Sequence, residues 1–272
     1  MAAEQTRAPA ASGGAAISIS SVDVTYGVGG PEPVNALSGI DLEIPDGAFV
    51  SLVGPSGCGK STLLKVVADL MAPTRGRVMV GGSPPRNLRH AGRLGLVFQQ
   101  ANLMPWLKVS ANIGLLRDLV AGRGGAAHDA DQSIGDLVRT VGLTGFETKY
   151  PDQLSGGMQQ RVALARALAL DPAVLLMDEP FAALDEITRD RMAFELMRLW
   201  HHYRKTVLFV THSLAEAVFL SDRVVLMSAR PGRIHRVFEI DLPRPRDHET
   251  RFADRFHQLV SELNRELYRV MA

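Results

Sequence analysis

The chain has 272 residues, 46% hydrophobic and 22% charged, a balance that excludes disordered and fibrous classes and suffices for one substantial core or two small ones. Lys and Arg number 30 against 29 Asp and Glu, leaving a formal net charge of +1, so no positive excess marks a nucleic-acid surface and no nucleic-acid partner is expected. The longest apolar stretch, Val162 to Leu170, is broken by Arg166 and falls far short of the about 18 to 20 apolar residues a spanning helix needs.

Residues 1–16 are Ala- and Gly-rich, lack the apolar core of a secretory signal, and read as a disordered leader. Ile17–Ile19 and Asp41–Ile44 are short alternating segments around the Gly/Pro-rich stretch Gly27 to Pro33, which predicts a small antiparallel sheet. Phe49–Val53 is an apolar run of the kind shown by buried parallel strands, and Leu63, Leu64, Val67, Leu70 and Met71 then recur at helical spacing before Pro73. Between them lies Gly54, Pro55, Ser56, Gly57, Cys58, Gly59, Lys60, Ser61 and Thr62, the strand–glycine loop–helix setting of a phosphate-binding P-loop. Its backbone N–H groups and the helix N-terminus suit phosphates, Lys60 can reach the β/γ-phosphates, and Ser61 offers a hydroxyl to Mg²⁺. Cys58, the single cysteine, can form no internal disulfide, and its side chain reads as a bystander in the loop; a reducing, cytoplasmic setting fits.

From about Asn102 to Leu170 the pattern turns helical, interrupted by a Gly/Ala/Asp loop from Gly122 to Asp131, which predicts a helical insertion in an α/β core. Within it, Ser155 can cap a helix running from about Met158 to Leu170, and Gly156 and Gly157 leave amide N–H groups and a positive dipole end open to an anion. The P-loop already accounts for one nucleotide's γ-phosphate, so this second anion site is most simply explained by a partner's nucleotide. Ala173–Met177 is an apolar strand that delivers Asp178 and Glu179 at its C-terminal end, where ligands of open parallel sheets bind. Such a pair can equally cap the next helix, but beside a P-loop Asp178 suits Mg²⁺ and Glu179 suits the base that activates water. Met192, Leu196, Leu199, Trp200 and Tyr203 predict the following helix, Val207–Val210 a third core strand, and Phe252, Phe256, Leu259, Leu263 and Leu267 one amphipathic terminal helix.

A P-loop and an acidic pair are shared by many ATPases, kinases and helicases included. Leu154-Ser155-Gly156-Gly157-Met158-Gln159-Gln160-Arg161 resembles the signature of the ATP-binding cassette family, with Met158 where Gln is more usual. The resemblance runs from about residue 17 to 230 and implies an α/β P-loop NTPase core with a parallel sheet, a small antiparallel β subdomain and an inserted α-helical subdomain. It places a single ATPase domain at 17–240, with helical subdomain at about 102–170, and a C-terminal helical extension at 241–272. It further implies an aromatic stack on adenine at Tyr26, a glutamine at Gln99 that contacts Mg²⁺ and the attacking water (Gln100 being the alternative), a loop across the dimer interface at Asp185, and a switch histidine at His212. ATP and Mg²⁺ are the implied cofactors. The implied partners are a second copy in an ATP-sandwich dimer, membrane-embedded permease subunits and, through them, a solute-binding protein; the implied place is the cytoplasmic face of the inner membrane.

A finer resemblance, to the ATPases of nitrate, sulfonate and taurine-type importers, rests on Leu103-Met-Pro-Trp106, Asp185-Glu-Ile-Thr-Arg189 and Met227-Ser-Ala-Arg-Pro-Gly-Arg233, and on the lack of an appended regulatory domain after the terminal helix. Met104, Pro105 and Trp106 offer apolar contacts to a permease, or else pack in the core. A scaffold or ribosome-type cassette protein and a small-molecule kinase are the competing readings. The first usually carries two cassettes, and the second has no use for Leu154 to Gly157.

Overall fold

The structure, a computed structural model, describes residues 14–121 and 133–271. The Gly122–Asp131 loop and most of the expected leader lie outside the described residues. Ala15 N–H donates to Thr206 Oγ1 at 3.2 Å, and Ala16 C=O accepts from Gly81 N–H at 2.8 Å.

A six-stranded sheet carries the molecule. Its strands are β3 (Phe49–Val53), β5 (Leu94–Val97), β6 (Val174–Asp178), β7 (Thr206–Val210), β8 (Arg223–Ser228) and β9 (Arg233–Glu239), in the order β5-β6-β7-β3-β8-β9. All neighbours are parallel except β9, which runs antiparallel at the edge. A second sheet of three antiparallel strands, β2-β1-β4, comprises β1 (Ile17–Tyr26), β2 (Val34–Ile44) and β4 (Arg75–Val80).

The apolar runs of the central strands follow from burial on both faces. Alternation sends Phe49, Leu175, Met177, Val207 and Phe209 into one core, and Val50, Leu52, Val174, Leu176, Leu208 and Val210 into another. The second core lies against the three-stranded sheet and α1 (Lys60–Val67). The first is covered by helices: α3 (Val109–Ala121), α4 (Ile134–Thr140), α5 (Gly156–Leu168), α6 (Glu186–Tyr203), α7 (Leu214–Leu220) and the terminal α9 (Asp254–Met271). A short α2 (Pro85–His90) follows β4.

Two expected helices differ. α1 stops at Val67, where Asp69 takes a left-handed φ of 55° and Asp69 and Leu70 N–H groups donate back to Val66 and Lys65 carbonyls. That is a Schellman ending, and it leaves Leu70 exposed rather than in the core. The terminal segment is two helices, α8 (His248–Phe252) and α9, separated at Ala253, which takes an extended backbone. Phe256, Leu259 and Leu263 are buried as their spacing implies, whereas Phe252 is exposed.

Candidate nucleotide site

β3 ends in the middle of the sheet, between β7 and β8, and the chain turns there through Gly54–Gly59 into α1. Gly54 has φ 153°, and a Cβ on it would lie 2.5 Å from Met227 C=O and 2.9 Å from Cys58 Sγ, so only glycine fits where the loop crosses β8. Cys58 is buried in the core, its thiol pushed up by burial against the nearby Lys60. The Lys60 ammonium folds back into the loop, donating to Gly54 C=O at 2.9 Å and Pro55 C=O at 3.0 Å.

An open cleft of about 680 Å³ lies over this loop, lined by Gly54, Ser56, Gly57, Gly59, Lys60, Ser61 and Thr62. Tyr26 closes one side and donates or accepts a hydrogen bond with Thr62 Oγ1 at 3.0 Å; its ring is 40% exposed, free to stack. Glu179 and His212 complete the wall. Asp178 does not line the cleft itself but is tied to it through Ser61, whose Oγ donates to its Oδ1 at 2.8 Å. Burial raises the Asp178 carboxyl above its ordinary value, against the Ser61 bond, and the neighbouring Glu179 charge adds to the rise. A hard divalent cation fits this pair, since both donors are oxygens and a carboxylate held off its ordinary pKa by burial gains most from a counter-charge.

Glu179 has a left-handed φ of 46°, uncommon for a residue with a side chain, and its N–H donates to Val210 C=O at 3.0 Å. That bond fixes where the carboxylate leaves β6, which has one-to-one parallel register with β7. Behind His212, Thr211 Oγ1 donates to Glu216 Oε2 at 2.6 Å, Arg189 Nε lies 3.4 Å from Glu216 Oε1, and Arg189 Nη2 donates to Leu184 C=O at 2.9 Å. Glu216 is buried, and burial raises its carboxyl above the ordinary value. The network ties the turn after β7 to the turn before α6, where Asp185 caps the helix by accepting from Thr188 N–H at 3.0 Å.

Several expected site residues lie elsewhere. Ser155 caps α5, accepting from Met158 N–H at 3.3 Å, and the helix begins at Gly156, two residues earlier than expected. Ser155, Gly156 and Gly157 do not line the cleft. Neither does Gln99, which is exposed on the turn after β5. Trp106 is 70% exposed, so core packing is ruled out for it. Asn35 and Arg230 line the cleft without having been singled out from the sequence. Arg230 stands in the Met227–Arg233 stretch, and a basic residue in a turn carries no spacing signal that would point to a phosphate site.

A glycine loop opening a helix between parallel strands, with an acidic pair at the end of β6, one strand beyond the neighbouring β7, defines a P-loop nucleotide hydrolase. The ABC transporter family model matches residues 37–182. The chain is 50% identical over 214 residues to an uncharacterized ABC transporter ATP-binding protein of Methanocaldococcus jannaschii, covering 79% of this chain and 78% of that one. It is 44% identical over 216 residues to an aliphatic sulfonates import ATP-binding protein of Bacillus cereus, covering 78% and 82%. A solved dimeric ATP-binding cassette in a post-hydrolysis state with ADP and Pi aligns at TM-score 0.69 and 32% identity, covering 82% of this chain and 98% of that one. The chain therefore belongs to the ABC transporter family, as an ATP-binding subunit that hydrolyses ATP. Among the described residues, no helix is long and apolar enough to cross a membrane.

Proposed function

We propose that this subunit drives import of a small organic anion of the sulfonate class, nitrate and taurine-type solutes being the neighbouring alternatives, through a separate permease at the cytoplasmic face of the membrane. The observation that carries its mode of action is the Ser155-capped start of α5, a helix N-terminus whose first residue, Gly156, is exposed, lying outside the chain's own nucleotide cleft. An anion site of this kind is completed by the γ-phosphate of a nucleotide held on a second copy. Each ATP is then sandwiched between Tyr26, the loop Gly54–Thr62 of one chain and Ser155, Gly156 and Gly157 of the other, with Asp185 at the dimer interface.

In that dimer Lys60 leaves its loop carbonyls for the β/γ-phosphates, Glu179 takes the proton of the attacking water, and His212 donates to the γ-phosphate. Ser61, Asp178 and Gln99 would hold Mg²⁺, which would supply charge neutralisation to the phosphates. Gln99 reaches the site when the turn after β5 moves in with the helical segment that follows it, and the exposed Pro105 and Trp106 pass that closure to the permease. A domain at 17–240, with its helical part at about 102–170 and the extension 241–272 packed behind it, matches this division of labour. Support for the sulfonate class comes from the 44% identical relatives and from Leu103–Trp106, Asp185–Arg189 and Met227–Arg233.

Size-exclusion chromatography of Glu179→Gln tests the mode of action: an ATP-dependent dimer supports it, and a monomer at saturating Mg·ATP overturns it. Uptake of radiolabelled methanesulfonate, with nitrate and taurine as competitors, in cells with and without the chain tests the solute. Uptake that does not depend on the chain removes the sulfonate reading.

A further inference from the structure

A second cavity, of about 1060 Å³, exceeds the nucleotide cleft and shares no residue with it. Three separate parts of the chain build it: Arg139 and Thr140 at the end of α4, the C-terminal half of α6, and the segment Arg244–Asp247 with His248 at the start of α8.

Its lining carries more cations than carboxylates. Arg139, Arg198, Arg244 and Arg246 face two carboxylates, Glu195 and Asp247. Asp247 is occupied as the cap of α8, accepting from Thr250 N–H and Oγ1 at 3.0 and 3.1 Å. Glu195 lies 3.9 Å from Arg198, whose side chain is 81% exposed, a spacing and exposure at which an ion pair contributes little. Arg139 is also exposed, in a surface pair with Asp136. Arg244 is paired with Asp222 at 2.7 Å.

Arg246 is 5% exposed, and its hydrogen bonds go only to backbone carbonyls, those of Val218, Phe219, Ser221 and Leu242. Its Nε is buried without an acceptor. Burial, with Arg244 nearby, pushes the Arg246 guanidinium down to about 10. A buried cation whose hydrogen bonds all go to backbone carbonyls, with the Asp222 carboxylate acting on it only through charge, gains when an anion enters the adjoining cavity.

The walls are also apolar. The Phe194 ring packs on Phe219 at 4.8 Å and meets the His248 ring at 3.9 Å, and Met197 and Leu199 extend the surface. Pockets of this kind hold an apolar body and orient it with a few polar groups.

We propose that this cavity binds a small organic anion, a carboxylate or sulfonate with an apolar body, whose charge sits among Arg139, Arg198 and Arg246 and whose body lies on Phe194. An occupant touching both Arg139 and Arg198 links α4 to α6, and so the helical segment to the core.

Isothermal titration calorimetry on the full chain saturated with ADP, using 1-naphthalenesulfonate, tests this. One-site binding is expected, weakened about tenfold or more in the double variant Arg139→Ala, Arg198→Ala by the loss of charge-assisted bonds, with ADP affinity unchanged. Should the double variant be unstable, Arg198→Gln alone gives the same reading at an exposed side chain. The proposal is overturned by absence of binding, by binding that survives these changes, by displacement with excess ADP, or by equal affinity for neutral 1-naphthalenemethanol. Equal affinity for inorganic sulfate also overturns it, because the apolar wall then contributes nothing.

Discussion

Nδ1 of His212 lies 3.5 Å from Oε2 of Glu179. The two residues follow adjacent strands in one-to-one parallel register, Asp178 opposite Val210, so the sheet itself brings them together. With Glu179 as the base, Glu179→Gln lowers steady-state ATP turnover by roughly 10² to 10⁴ while nucleotide affinity is kept. Because the pair acts as a unit, adding His212→Ala to Glu179→Gln costs far less than His212→Ala costs alone. Additive losses in an ATPase double-mutant cycle sink this view of the site.

With Asp178 as the proposed Mg²⁺ ligand, metal binding is sensitive to acid. Burial raises its carboxyl in the metal-free chain, so a proton competes with Mg²⁺ at a higher pH than at an ordinary carboxylate. Mg²⁺-dependent tightening of ATP binding therefore weakens as pH falls towards that raised value, and Asp178→Asn abolishes both the tightening and its pH dependence. The sign for stability is opposite. With the folded pKa above the unfolded one, protonation favours the metal-free fold, and that stabilisation is lost as pH rises through the folded value. At neutral pH metal-free Asp178→Asn thus melts above wild type in a thermal scan, and a lower melting temperature counts against this account.

Glycines separate folding from function. Gly54→Ala drives a Cβ into Met227 C=O and destabilises the fold by about 1–3 kcal/mol in urea unfolding. At Gly156 an added Cβ meets nothing within 4 Å, whereas at Gly157 it lies 2.9 Å from Thr188 Cγ2. Gly156→Ala accordingly folds as wild type and shows its effect, if the partner's phosphate docks there, only in ATP-dependent dimerisation. A Gly156→Ala chain that unfolds more easily than Gly157→Ala contradicts the geometry.

Much of this was readable along the chain, for a physical reason. The central strands are buried on both faces, so Phe49–Val53 and Val207–Val210 appear as short, mostly apolar runs, and the motifs sit at their C-terminal ends. Strands β4 and β9 were not legible: RGRVMV and RIHRVFE carry exposed arginines at edges, where period and polarity look like loop. Leu63 to Met71 has helical spacing throughout, yet a left-handed Asp69 ends the helix early, and apolar spacing says nothing about a turn's handedness. Arg230 and Asn35 reach the cleft through tertiary placement of a turn after β8 and of the start of β2.

Behind the site, Glu216 joins Thr211 to Arg189 in a buried network. Glu216→Ala strands the Thr211 hydroxyl and the Arg189 charge together and costs about 1–3 kcal/mol of stability by denaturant titration. Glu216→Gln keeps an acceptor for Thr211 and recovers part of that loss. If alanine and glutamine behave alike, the Thr211 bond carries no weight.

Trp106, 70% exposed, makes a surface prediction. Trp106→Ala leaves the melting curve and isolated ATPase rate within experimental scatter, since exposed substitutions usually shift stability by about 0.5 kcal/mol or less. In proteoliposomes with its permease, the same variant loses solute-stimulated turnover. Equal loss in both assays shows a folding role instead.

The phosphate loop hangs on a strand whose two neighbours arrive late. β3 pairs with Thr206–Val210 on one side and Arg223–Ser228 on the other, so the hydrogen-bonded frame of the loop is incomplete until those segments have left the ribosome. During synthesis the nascent chain can display Gly54–Thr62 long before it can grip a triphosphate. Long-range pairing of this kind is slow to form and exposes apolar strands meanwhile. Fragments truncated before β7 therefore lack the hydrogen-bonded frame for nucleotide, and intact chains gain the ability to bind ATP only with the closing of the central sheet.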